Sequence, residues 1–76
     1  MFHGIRLTKR EQEVAVLACD GLPNKSIAKQ LGLSGSSVKM HLSSVFRKVG
    51  VRGRGALMVK WNDLSEPFAR ASLGND

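Results

Sequence analysis

From Leu7 onward the apolar residues fall in short groups, spaced three and four apart, with polar or glycine stops between the groups. Val14, Leu17 and Ala18 share one face of a first helix. Thr8-Lys9-Arg10-Glu11 just before them has the form of a capping box: the Thr8 hydroxyl accepts from a first-turn amide and Glu11 reaches back to the cap. Asp20-Gly21 is the stop signal. Pro23 suits the start of a second helix, because its missing amide proton costs nothing there. Ile27, Ala28 and Leu31 are the stripe of that short helix, and Gly32 closes it. Only Leu33 and Ser34 follow before Val38, Leu42, Val45, Phe46 and Val49 recur at i, i+4, i+7, i+8 and i+11, the period of a helix buried along one stripe. Ser34 is its N-cap candidate and Gly50 its C-terminal stop. After "VRGRG" a fourth helix is expected from about Gly55 to Asp63, with Leu57, Met58, Trp61 and Leu64 facing inward.

The stretch "SGSSVKMHLSS", residues 34–44, has the serine content of a linker, but a linker has no reason to keep the period of Val38 and Leu42. Its serines cap the helix or lie off the stripe. Residues 24–43 then form a short helix, a glycine-containing turn and a longer helix, which is the helix-turn-helix unit. Ala28 is small where the third helix must cross the second, and Gly32 sits where the turn needs a positive φ. No strand pattern, internal repeat or low-complexity segment interrupts this order, so the expected fold class is all-α, a four-helix bundle. Residues 1–7 are expected as an N-terminal arm and 8–64 as one domain. Residues 65–76 are expected as a partly disordered tail with at most one turn after Ser65.

Seventy-six residues suffice for one small core. The charge pattern narrows the function further. Between Asp20 and Asp63 there is no acidic residue, while Lys25, Lys29, Lys39, Arg47, Lys48, Arg52, Arg54 and Lys60 lie in that window. A basic face with no partner explains this less well than a polyanion does. No apolar run approaches the roughly 18–20 residues of a membrane span, and "MFHGIRLTKR" lacks the apolar core of an export signal. Cys19 is the single cysteine, so no internal disulfide forms; it reads as a small apolar filler in a reducing compartment. His3, His41 and Cys19 have no metal-ligand spacing, and no cofactor is expected. There is no paired-carboxylate site, no nucleophile with a base and no phosphate-cradling glycine motif, which argues against an enzyme.

"LTKREQEV", "GLPNKSIAKQLGLS", "SVKMHLSSVFRKVGV" and "RGR" follow, in order and spacing, the LuxR-type helix-turn-helix, and the chain resembles that family over about residues 7–64. The resemblance implies the DNA-binding output domain of a bacterial response regulator or quorum-sensing regulator, with helix three as recognition helix and a homodimer formed through helix four. It also implies double-stranded DNA as partner, RNA polymerase as a further candidate partner, and a cytoplasmic, nucleoid-associated protein. No membrane or small-molecule ligand is expected for these residues. The chain reads either as a freestanding regulator beginning at Met1 or as a piece of a longer one.

Opposite the apolar stripe of helix three lie Ser36, Lys39, Met40, Ser43 and Arg47, placed to face a major groove. Lys39 suits guanine O6 and N7, and Met40 a thymine methyl unless it is a peripheral core contact. Ser43 is short and reaches a base only by close approach or through water. The family's usual base readers match Lys39, Met40 and Ser43. Lys25, Ser36, Ser37, Arg47 and Lys48 are the expected phosphate contacts. Arg54 matches the arginine of the family's "NR" element, with Gly53 where asparagine is usual; it is expected to pair internally with Glu11 or Glu13 rather than meet phosphate. His41 reads as a hydrogen-bonded structural histidine. Gly55, Ala56, Val59 and Asn62 line the outer side of helix four as the candidate dimer surface. Two other readings stay open. One is an interaction module that heterodimerises with a larger regulator and inhibits it; the other is a promoter-binding domain like region 4 of sigma factors.

Overall fold

A computed structural model describes residues 5–62 of the chain, and four helices and no strand are present among them. They are α1 (Lys9–Cys19), α2 (Asn24–Leu31), α3 (Gly35–Val49) and α4, described over residues 54–62. None is long and apolar enough to cross a membrane. The first four residues of the arm, the inward position expected for Leu64, the end of α4 at Asp63 and the tail 65–76 lie outside the described residues.

The local signals act as the sequence suggests. Glu11 N donates to Thr8 Oγ1 (3.1 Å) while Thr8 N donates to Glu11 Oε1 (2.8 Å), which closes the capping box of α1. Ser34 caps α3 by accepting from Ser37 N at 3.1 Å. Pro23 stands one position outside α2, at its N-cap, with no side-chain bond to offer. Gly32 adopts the left-handed conformation (φ 68°) that ends α2, and Leu33 N returns to Ala28 O at 2.8 Å. A residue with a Cβ would be strained in that conformation, so the turn between α2 and α3 depends on glycine.

Two apolar clusters hold the helices. Val14, Ala18, Ile27, Ala28, Val38 and Leu42 bury the crossing of α1, α2 and the first half of α3. Ala15, Val45, Val49 and Leu57 join α1 and the second half of α3 to α4. Phe46 touches both clusters, and Ile5 and Leu7 pack on the second, so the end of the arm is anchored to α1's far side. Within α4, Leu57 is fully buried and Trp61 partly buried, but Met58 is 40% exposed, against the inward position expected for it. Positions 57 and 61 are one turn apart and carry the contact with α1 and α3, and 58 falls on the flank of that narrow stripe.

Candidate nucleic-acid interface

The stripe that buries Val38, Leu42, Val45 and Val49 turns the other side of α3 outward. Ser36, Lys39, Met40, Ser43 and Arg47 are all exposed there, and together with Ser44 they line one shallow depression. Met40 is 70% exposed, so it is no part of the core. Five of the residues expected at a groove are therefore brought together on one rigid element. Lys25 is exposed in the first turn of α2, outside this depression. His41 is half-buried beside the stripe. Gly55, Ala56, Val59 and Asn62 are all exposed on α4, Val59 to 65%.

Two expected phosphate contacts also have partners inside the molecule. The Ser37 amide is satisfied by Ser34 Oγ, and the Ser37 hydroxyl accepts from Ser34 Oγ at 3.1 Å. The cap that makes the α3 N-terminus thus uses the amide that was to meet phosphate, whereas helix geometry leaves Gly35 and Ser36 N–H without an intrahelical acceptor. Lys48 turns its ammonium to Glu11, with Nζ 2.8 Å from Oε1.

Glu11 is the buried charged residue among those described, at 5% exposure, and its partners beyond the capping box are not the Arg54 that the sequence suggests. Its Oε1 accepts from Thr8 N and Lys48 Nζ, both at 2.8 Å, and its Oε2 accepts from Ser44 Oγ at 2.6 Å. Burial alone pushes its pKa up, but the hydrogen bonds from Lys48, Ser44 and Thr8 and the Lys48 charge outweigh it and bring the carboxyl down to about 2. Ser44 and Lys48 lie one turn apart on α3, so a single carboxylate of α1 grips the flank of the helix that carries Lys39 and Ser43.

Arg54, at the start of α4, has the internal role expected of it but not the expected acidic partner. Nη1 donates to Leu22 O at 2.8 Å and to Ala18 O at 3.5 Å, and Nη2 donates to Asn24 Oδ1. The guanidinium thus ties α4 to the end of α1, the following loop and the start of α2. Glu13 pairs instead with Arg10 at the surface, 3.1 Å apart. Cys19 packs half-buried against the second cluster; burial and the Asp20 charge, against the pull of Arg54, push its thiol up to about 11. That is the behaviour of an apolar filler rather than a reactive thiolate.

Comparison with known proteins bears on the family of the chain. The spore germination protein GerE of Bacillus subtilis (strain 168) is 41% identical over 54 residues, 71% of this chain and 73% of GerE. The nitrate/nitrite response regulator protein NarL of Escherichia coli (strain K12) is 39% identical over 49 residues, 64% of this chain and 23% of NarL. Its counterpart NarP, from the same strain, is 42% identical over 53 residues, 70% of this chain and 25% of NarP. The chain therefore spans most of GerE but only about a quarter of the two response regulators. The family model described as bacterial regulatory proteins, luxR family, matches residues 6–60, and the chain belongs to that family of helix-turn-helix, DNA-binding transcription regulators.

Proposed function

We propose that the protein regulates transcription by laying α3 in the major groove of double-stranded DNA, with Lys39, Met40 and Ser43 toward the base edges. The observation that supports this best is the outer face of α3: Ser36, Lys39, Met40, Ser43 and Arg47 share one exposed depression, in a window from residue 21 to 62 with no acidic side chain. Lys39 donates to guanine O6 and N7, Met40 meets a thymine methyl, and Ser43 acts at short range or through water. Lys25, Ser36 and Arg47 hold the flanking phosphates and set the register. Ser37, through its hydroxyl, and Lys48, through the ammonium protons that Glu11 leaves over, are the secondary members of that set, because each also has a partner inside the molecule.

A second copy of the chain pairs through the exposed side of α4, where Gly55 and Ala56 allow close approach and Val59 supplies the apolar contact. Two protomers then read half-sites about one helical turn, roughly 34 Å, apart. The regulator works in the cytoplasm, with RNA polymerase as the machinery it acts on.

Selection of bound sequences from a random duplex pool tests this reading. Lys39→Ala should relax the preference at one base position and cost on the order of 1–3 kcal/mol at the best site. Lys25→Ala should weaken all sequences alike and flatten the salt dependence by about one unit. A selected sequence that is the same with and without Lys39 removes Lys39 from the role of base reader.

A further inference from the structure

The Glu11 carboxylate has two functions that its capping box does not require. Its Oε2 accepts from Ser44 Oγ at 2.6 Å and its Oε1 from Lys48 Nζ at 2.8 Å, across 33 and 37 residues of chain. Both donors sit on one flank of α3, between its buried stripe and its exposed face, and Ser44 itself lines the depression that holds Lys39, Met40 and Ser43. We infer that Glu11, through Ser44 and Lys48, is a positioning residue for sequence readout: it sets the rotation of α3 about its own axis and so aims Lys39, Met40 and Ser43 at the base edges. This rests on α3 being the reading helix.

The physical need is geometric. The side of α3 packed on the core is valine and leucine, namely Val38, Leu42, Val45 and Val49. Apolar packing is non-directional and tolerates a small roll of the helix. Side-chain tips stand about 5–6 Å from a helix axis, so a roll of about 10° carries them about 1 Å sideways. Binding constellations need their donors held within about 0.5 Å, and a bidentate base contact is lost at twice that error. A hydrogen bond is directional, and two of them, one turn apart on the same carboxylate, resist that roll. The carboxylate cannot swing with the helix, because Oε1 is also held by Thr8 N at 2.8 Å and the residue is 5% exposed. Ser44 therefore contributes to specificity without touching DNA, and Glu11 does so from the far side of the helix.

The measurement is the ratio of affinities for the best selected duplex and for a scrambled duplex of the same composition, taken with the whole chain. Partial unfolding lowers both affinities together and leaves the ratio unmoved, so a merely structural role does not change it. Ser44→Ala should lower the ratio by about three- to tenfold, with the affinity for scrambled DNA and its salt dependence unchanged. Ser44→Thr, which keeps the hydroxyl, should restore it. Glu11→Gln, which weakens both bonds, should lower the ratio at least as far as Ser44→Ala, and the double variant should fall no further than Glu11→Gln, because Ser44 acts only through this carboxylate.

An unchanged ratio in Ser44→Ala overturns the inference while leaving α3 as reader, provided that Lys39→Ala still lowers it. Additive losses in the double variant also overturn it, since Ser44 would then be a direct DNA contact. A ratio untouched by Lys39→Ala and by Met40→Ala overturns the reading helix, and the tether with it.

Discussion

Two polar clamps of the described residues, one around Glu11 and one around Arg54, solve opposite problems. The Glu11 clamp is a buried anion of α1 that gathers a backbone amide, a hydroxyl and an ammonium, the last two from α3. The Arg54 clamp is a cation of α4 that gathers two backbone carbonyls and an amide oxygen from the end of α1, the loop after it and the start of α2. The first joins charge to charge; the second uses a charge to satisfy neutral groups that the helix end leaves unpaired. Losing Glu11 removes the shared acceptor of an amide, a hydroxyl and an ammonium at one stroke, and the part-buried amide and hydroxyl are left without a partner. A cation bonded to neutral groups loses hydrogen bonds but strands no opposite charge. The clamp that holds the proposed reading helix should therefore be the more fragile, and the one that holds α4 the more forgiving.

The largest effect should come from Glu11→Ala. It removes the N3 half of the capping box and leaves the Thr8 amide and the Ser44 hydroxyl without their acceptor, at about 3 kcal/mol of stability together with the lost Lys48 pair. Urea unfolding by circular dichroism measures it; a loss under 1 kcal/mol would make this clamp no more demanding than a surface ion pair. Acid probes the same group without mutation. The Glu11 carboxyl is depressed in the folded state to about 2 from an ordinary 4.5. Its stabilisation is thus complete above about pH 4.5 and is lost as the pH falls through about 2, a change on the order of 3 kcal/mol. Glu11→Gln should be flat over that window, apart from what the exposed carboxylates contribute to both proteins.

Arg54→Lys should cost less, about 1–2 kcal/mol, because an ammonium is a point donor and cannot fork between Leu22 O and Asn24 Oδ1. The partners of Arg54 carry no proton to titrate, so the loss should be the same at pH 3 and pH 7. A loss that grows toward neutral pH would mean that a carboxylate takes part, and the contrast between the clamps would fail.

The two clamps also mark how far the sequence could be followed. The capping box was legible because Thr8 and Glu11 stand three apart, and the spacing is itself the geometry. The outer face of α3 was legible for the same reason: the period of Val38, Leu42, Val45 and Val49 locates the opposite side. Glu11's bonds to Ser44 and Lys48 have no local signature, since they arise only after α3 has crossed α1. Lys48 was therefore counted among free basic residues. Arg54 was expected inside, but beside Glu11 or Glu13, because sequence reasoning matches charges to charges. The carbonyls of Ala18 and Leu22 belong to every residue type and become partners only through the position of a helix end. Met58 is expected inward because a short helix with five apolar residues does not show how narrow its contact stripe is.

The smallest effect separates the internal and external uses of a lysine within the first clamp. Lys48 is one-third exposed, so its pair with Glu11 is partly screened, and Lys48→Met should cost about 1 kcal/mol, with the methionine retaining the apolar stem. The carboxylate keeps the Thr8 amide and the Ser44 hydroxyl. In DNA binding, Lys48→Met should leave the salt dependence unchanged, whereas Arg47→Ala, one position earlier and turned outward, should reduce it by about one unit. Equal reductions for the two would show that Lys48 leaves Glu11 for a phosphate when DNA is present. The carboxylate would then be held by two neutral donors in the complex, and the clamp would be one that DNA itself loosens.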